Sequence, residues 1–280
     1  MSGLYPLSVD IIPILEDNYS YLATYAPGYA FLIDPADPPL VLAHLQSLPT
    51  PPIITHILTT HKHWDHAGGN LKIVETLNPT QPSDPITVVC GSLDSHPSTT
   101  LPCFNSDVIN LPGGHVVKCV HTPAHTKGHM CYLVDSAEPK VVFTGDCMFK
   151  GGCGKLFEGS PSEMTTSLLR LTSLPPQTLV YPGHEYTVSN LEFAFWALPD
   201  SSFIEGALEE ARKIREEGKP TVPSTVEYER MGNPFVIAAA GGGGGEGGGW
   251  GRILREGEEV GGDELLGKVR EAKDKGMHKR

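Results

Sequence analysis

Short apolar and alternating runs fill the first two thirds of the chain, and helical periodicity replaces them in the last third. Period-two runs rich in Val, Ile, Tyr and Thr predict strands over 8–14, 19–25, 29–33, 53–59, 87–90, 107–111, 116–121, 130–134, 141–144 and 179–181. Prolines introduce a helix at 40–48, and Gly113-Gly114 predicts a hairpin turn. Two capping-box signatures follow: Ser160 with Glu163, and Ser202 with Glu205 ahead of a helix over 207–217 that stops at Gly218. From about Thr187 the pattern is helical, and Leu265, Leu266, Val269 and Ala272 share one face of a last helix over 263–275. The glycine-rich stretch 241–249 cannot hold regular structure and predicts a flexible loop. Strands first and helices last define an α+β chain: a sheet-based domain over 1–186 and a helical domain over 187–280.

Composition narrows the class. The chain has 280 residues, enough for one large domain or one with an appendage, and its net charge of −12 argues against nucleic acid, which needs cationic side chains. No apolar run approaches a membrane span, and the amino terminus carries no leader-like pattern, so a cytoplasmic monomer is expected. Six cysteines without a Cys-x-x-Cys pair predict reduced, buried thiols. The charges are unevenly spread: residues 1–204 hold 8 of the 21 cationic side chains, while nine of the twelve histidines lie between His56 and His129. That part of the chain uses imidazole rather than cationic charge.

The predicted strand at 53–59 runs into Thr60-His61-Lys62-His63-Trp64-Asp65-His66-Ala67-Gly68-Gly69-Asn70. In an extended segment residues i and i+2 point the same way, so His61 and His63 can converge on one ion while Asp65 and His66, after a turn, face a second. Imidazole with carboxylate and without cysteine suits an open site for zinc, iron or manganese rather than a closed structural zinc. His125, Asp146 and His184 each follow a predicted strand and complete two sites. Asp34 ends the strand Phe31-Leu32-Ile33 and reads either as a carboxylate orienting a ligand imidazole or as a turn former. His56, His115, His121 and His129 read as structural or surface residues, and Cys147 and Cys153 as buried thiols.

The pattern His-x-His-x-Asp-His with later His, Asp and His resembles the metallo-β-lactamase superfamily. Thr60 to Asn70, Gly152-Cys153-Gly154-Lys155, Gly183-His184-Glu185-Tyr186-Thr187 and Gly232-Asn233-Pro234-Phe235 resemble the hydroxyacylglutathione hydrolases, the glyoxalase II family within it. The resemblance implies an αβ/βα sandwich followed by a helical domain. It also implies His61, His63 and His125 on one metal, Asp65, His66 and His184 on the other, and Asp146 bridging. Lys62 stands where the family has histidine, and Phe157 where it commonly has a substrate-contacting tyrosine. By the same resemblance Arg270 and Lys273, on one helix face, contact a glutathione carboxylate; Lys155, beside the metal loops, and Tyr186 and Asn190, which follow His184, are further expected substrate contacts.

Two divalent ions about 3.5–4 Å apart share a water whose pKa falls to about 7, so a bridging hydroxide can attack without a protein base. A thiolate, from a thiol of pKa about 8.5, leaves without an obligatory acid. The expected reaction is therefore hydrolysis of a glutathione thioester such as S-D-lactoylglutathione, with zinc the first choice of metal. The alternative within the superfamily is a mononuclear-iron persulfide dioxygenase, which Asp65 and His184 as second-site ligands speak against.

Overall fold

The computed structural model describes residues 4–94, 96–242, 250–254 and 258–279, so most of the predicted loop at 241–249 lies outside the described residues. The chain divides into two compact units, one made of residues up to His121 together with Thr126–Gly145, the other of Thr122–His125 and Asp146 onward.

In the first unit, β1 (Ser8–Ile14), β2 (Asn18–Ala26) and β3 (Tyr29–Ile33) form an antiparallel meander. Helix α1 (Pro38–Ser47), capped by Asp37, then leads into β4 (Ile53–Thr59), which pairs parallel with β3. The short α2 (Trp64–Ala67) and α3 (Asn70–Leu77) precede β5 (Thr87–Gly91) and β6 (Leu101–Cys103), both added in parallel. The resulting six-stranded sheet keeps sequence order. A second antiparallel layer runs in the order β10-β9-β8-β7, from β7 (Val108–Asn110), β8 (Val116–His121), β9 (Met130–Val134) and β10 (Val141–Gly145). Pro112–Gly114 forms the tight turn between β7 and β8, with Gly113 at φ 82°.

Alternation along the strands sorts the side chains onto two faces. Leu22, Ala30, Leu32 and Ile57 join Val41, Leu45 and Ile73 in the core beneath α1 and α3. Tyr21 and Phe31 point the other way and meet Phe143 of β10 at centroid distances of 5.5 and 5.9 Å. The fully buried Tyr132 donates its hydroxyl to the Thr59 carbonyl at 2.8 Å, joining β9 to β4.

The second unit begins with the two-residue strands β11 (Met148–Phe149) and β12 (Gly152–Cys153). Helix α4 (Pro161–Thr172) carries the expected capping box at Ser160 and Glu163. A β13 (Leu179–Pro182) and β14 (Ser224–Thr225) pair flanks α5 (Thr187–Ala197) and α6 (Ser202–Glu216), and α7 (Val226–Gly232), α8 (Pro234–Ala239) and α9 (Gly262–Asp274) complete the unit. The cap of α6 corrects the sequence reading: Ser201, not Ser202, accepts the Ile204 N–H, because Ser202 already has helical backbone. Gly218 takes the left-handed φ of 70° past its end. Leu265, Leu266, Val269 and Ala272 are buried on one face of α9, as the periodicity predicts.

Candidate metal centre

In the first unit the motif residues gather where the parallel strands β3 and β4 end, the usual place for reactive groups in such sheets. His61 is fully buried, His63 caps α2, and Asp65 and His66 lie in its single turn. Asp34, 1% exposed and at φ 45°, collects three hydrogen bonds: from the Thr60 N–H at 2.7 Å, from the Thr60 hydroxyl at 2.6 Å and from His66 Nδ1 at 2.8 Å. A carboxylate only accepts, so His66 carries its proton on Nδ1 and has Nε2 as its donor atom for a cation. The same logic reaches His61. Thr60 gives its one hydroxyl proton to Asp34, so at 3.1 Å its oxygen accepts from His61 Nδ1, which makes His61 Nε2 the electron-pair donor. That Nε2 faces His63 Nδ1 at 2.9 Å, and His66 Nε2 lies 3.7 Å from Asp65 Oδ2.

Two further residues, which sequence reasoning missed, hold this loop. Asn18 donates Nδ2 to both the backbone carbonyl and Oδ2 of Asp65, each at 3.1 Å. Asp94 accepts from the Lys62 N–H at 2.9 Å, the Thr126 hydroxyl at 2.9 Å and the Gly128 N–H at 2.8 Å.

In the second unit His125 donates Nδ1 to the Lys155 carbonyl at 3.0 Å, again fixing Nε2 as the donor atom, which stands 3.3 Å from Asp146 Oδ2. His184 Nε2 is 3.5 Å from the other oxygen of Asp146. Gly154 makes this approach possible: a Cβ there would lie 2.1 Å from the Asp146 carbonyl oxygen and 2.9 Å from His125 Nδ1. Tyr186 stacks on His184 at 4.7 Å and 6°, and Phe157, 61% exposed, sets its ring 5.1 Å from His125. The Lys155 side chain is exposed.

Arg270 and Lys273 differ in setting. Arg270 is 6% exposed, donates to the Cys153 carbonyl at 3.1 Å, pairs with Asp274 at 2.8 Å and lies over the Phe235 ring. Lys273 donates Nζ to Asn190 Oδ1 between the Phe193 and Phe235 rings, and burial, reinforced by the Arg270 charge, lowers its pKa to about 7. Asn190 in turn donates to the Lys150 carbonyl.

Imidazoles with their protons fixed on Nδ1, set beside carboxylates, form the donor chemistry of a divalent cation, with Asp34 and the Lys155 carbonyl as the outer partners that such ligands require. The residues therefore fit a metal centre. Removing such a partner typically weakens metal binding about 10–100-fold. Asp34→Asn is expected to do so, read by competition with a chromogenic chelator; unchanged affinity would make Asp34 merely a turn residue.

Residues 15–184 match the family model described as the metallo-beta-lactamase superfamily, which places the chain in that superfamily, and residues 185–276 match the hydroxyacylglutathione hydrolase C-terminus. The cytoplasmic hydroxyacylglutathione hydrolase of Arabidopsis thaliana is 44% identical over 229 residues, 80% of this chain and 86% of its own. That of Synechococcus is 35% identical over 82% of this chain and 88% of its own. Among solved structures, TTHA1623 in a di-iron-bound form has a TM-score of 0.55 and 26% identity, over 81% of this chain and 99% of its own. The chain belongs to the hydroxyacylglutathione hydrolase family and is an enzyme that binds divalent metal. Among the described residues no helix is long and apolar enough to cross a membrane.

Proposed function

We propose that the protein hydrolyses S-(2-hydroxyacyl)glutathione, typically S-D-lactoylglutathione, to glutathione and the hydroxy acid, at a binuclear zinc centre in the cytoplasm. The carrying observation is the fixed protonation of His61, His66 and His125, which commits each Nε2 to accept a cation. In this reading His61, His63 and His125 hold one ion and Asp65, His66 and His184 the other, with Asp146 shared. Residues 1–186 act as the catalytic domain and 187–280 as the domain that holds glutathione. When bound, two divalent ions supply a nucleophilic hydroxide at neutral pH and polarise the thioester carbonyl.

The chain's own residues bind and orient the substrate. Lys155 and Lys273 supply cations for its carboxylates, Tyr186 an aromatic surface beside His184, and Asn190 the acceptor that positions Lys273. Arg270, held by Cys153, Asp274 and Phe235, is the second cation of the α9 pair for the glutathione carboxylate. Phe157 offers no hydroxyl, so Phe157→Tyr is expected to lower KM about three- to tenfold, the worth of one hydrogen bond near 1 kcal/mol. An unchanged or higher KM in steady-state kinetics would refute that contact.

The low pKa of Lys273 gives KM a pH dependence. A carboxylate prefers the protonated amine, so KM is expected to rise as pH climbs through about 7, while kcat stays level. Lys273→Met should raise KM and remove that rise; a pH profile identical to wild type would exclude the role. For the function itself, metal-loaded protein should release free thiol from S-D-lactoylglutathione and consume no oxygen with glutathione persulfide. No thiol release with two ions bound would overturn the proposal.

A further inference from the structure

Three of the six cysteines cluster in the first unit: Cys90 on β5, Cys103 at the end of β6 and Cys119 on β8, all buried. Cys119 is the cross-strand partner of Tyr132 on β9, whose hydroxyl lies 4.0 Å from Cys103 Sγ, and the Cys119 backbone bonds to Ser106 and Asp107, just past Cys103, at 2.8 Å each. Tyr132 has committed its proton to the Thr59 carbonyl, so Cys119 is the donor available to a Cys103 thiolate. The three thiols are accordingly unequal. The neighbouring Cys119 thiol holds Cys103 below the ordinary thiol value, Cys119 is pushed up by Cys103 and by burial, and burial takes Cys90 up to about 12.

Cys103 is 2% exposed, yet it has a route to solvent. A cavity of about 140 Å³ reaches it, lined by Leu93, Phe104, His121, Gly128 and Met130, and Leu93 and Phe104 are 64% and 60% exposed. Gly91 and Gly128 bring two backbones together there, since a Cβ on Gly91 would sit 1.9 Å from the Gly128 carbonyl oxygen. An apolar space of this size accepts a molecule about as large as benzene.

We propose that Cys103 and Cys119 form an oxidisable dithiol, and that small apolar hydroperoxides reach Cys103 through this cavity. The Cys103 thiolate attacks the outer peroxide oxygen, the O–O bond breaks, and the departing alkoxide takes a proton to become the alcohol. The Cys119 sulfur then attacks the Cys103 sulfenic acid. An S–S bond forms, and hydroxide leaves as water with the Cys119 proton. The two thiols lose two electrons and two protons, and the hydroperoxide is reduced to alcohol and water. The product ties β6 of one sheet to β8 of the other.

The test treats the metal-loaded protein with tert-butyl hydroperoxide or hydrogen peroxide, then quenches, denatures and alkylates it. Free thiols should fall from six to four, with peptide mapping placing the new bond between Cys103 and Cys119, and faster with the alkyl hydroperoxide. C119S should accumulate a dimedone-reactive sulfenic acid on Cys103, and C103S should keep all its thiols. Six thiols remaining in the wild type, a bond to Cys90 or to another cysteine, or equal thiol loss in C103S would each overturn the assignment. Should C103S not fold, wild-type mapping decides the pair, and a hydrogen peroxide rate equal to or above the alkyl one removes the cavity's role.

Discussion

Asp146→Ala is expected to lower kcat for S-D-lactoylglutathione by about a thousandfold, with the protein still folded. Asp146 is 7% exposed, and its two oxygens face His125 Nε2 at 3.3 Å and His184 Nε2 at 3.5 Å. Alanine removes the negative charge between two donor imidazoles. Metal-assisted polarisation supplies several kcal/mol to such reactions, and each 1.36 kcal/mol is tenfold in rate, so losing about 4 kcal/mol corresponds to roughly three powers of ten. Steady-state kinetics together with metal content measured on the same preparation provide the check. Near-wild-type turnover would remove Asp146 from the centre. A thousandfold loss with a tenfold or smaller change in KM fits a residue that serves the reaction rather than substrate capture.

The second large effect concerns stability. Glu229 on α7 is completely buried and accepts from the Gly151 N–H at 3.0 Å, Asn233 Nδ2 at 2.9 Å and the Ser224 hydroxyl. It thereby holds the β11–β12 turn, whose Phe149 and Gly152 carbonyls also accept from Asn233. Glu229→Ala strands these donors in the interior and is expected to cost about 3–5 kcal/mol, the range for breaking a buried charged network. Urea unfolding measures it, and a loss below 1 kcal/mol would show that the network relaxes. Burial raises the Glu229 pKa above its ordinary value, against the hydrogen bonds that lower it. The folded state therefore holds this proton more tightly than the unfolded one. The resulting contribution is fully present below pH 4.5 and fades as pH rises through the folded value. Glu229→Gln should remove that component of the pH dependence.

Much of the architecture was legible because it is periodic. The strands at 8–14, 29–33, 53–59, 116–121 and 130–134 coincide with those observed, since each presents an alternating or fully apolar run. Strand β6 was not legible: its three residues include Pro102, and among the described residues it pairs with β5 alone, at the sheet edge. The two-residue strands β11 and β12 are too short to carry a period. At the centre, residues with metal-donor chemistry announce themselves by type and spacing, whereas those that hold them do not. Asn18 reaches Asp65 across 47 positions, Asp94 reaches Lys62 across 32, and Glu229 reaches Gly151 across 78. An asparagine, an aspartate or a glutamate carries no local mark of such a partner. Asp34 lay between the two cases: its strand-end position suggested a role, and only the Thr60 and His66 bonds show that one carboxylate sets two imidazoles.

The bonds of Asp94 bear on the order in which the molecule takes shape. This side chain joins the backbone at Lys62 to Thr126 and Gly128, which lie 64 and 66 positions further along the chain. Contacts of such sequence separation close late in folding. During synthesis the histidine motif emerges early, yet it acquires this brace only when the segment at 126–128 has followed. A fragment ending before Thr126 would hold the residues of the motif without the clamp that shapes their loop, and its first turns should exchange amide protons readily where the whole chain protects them.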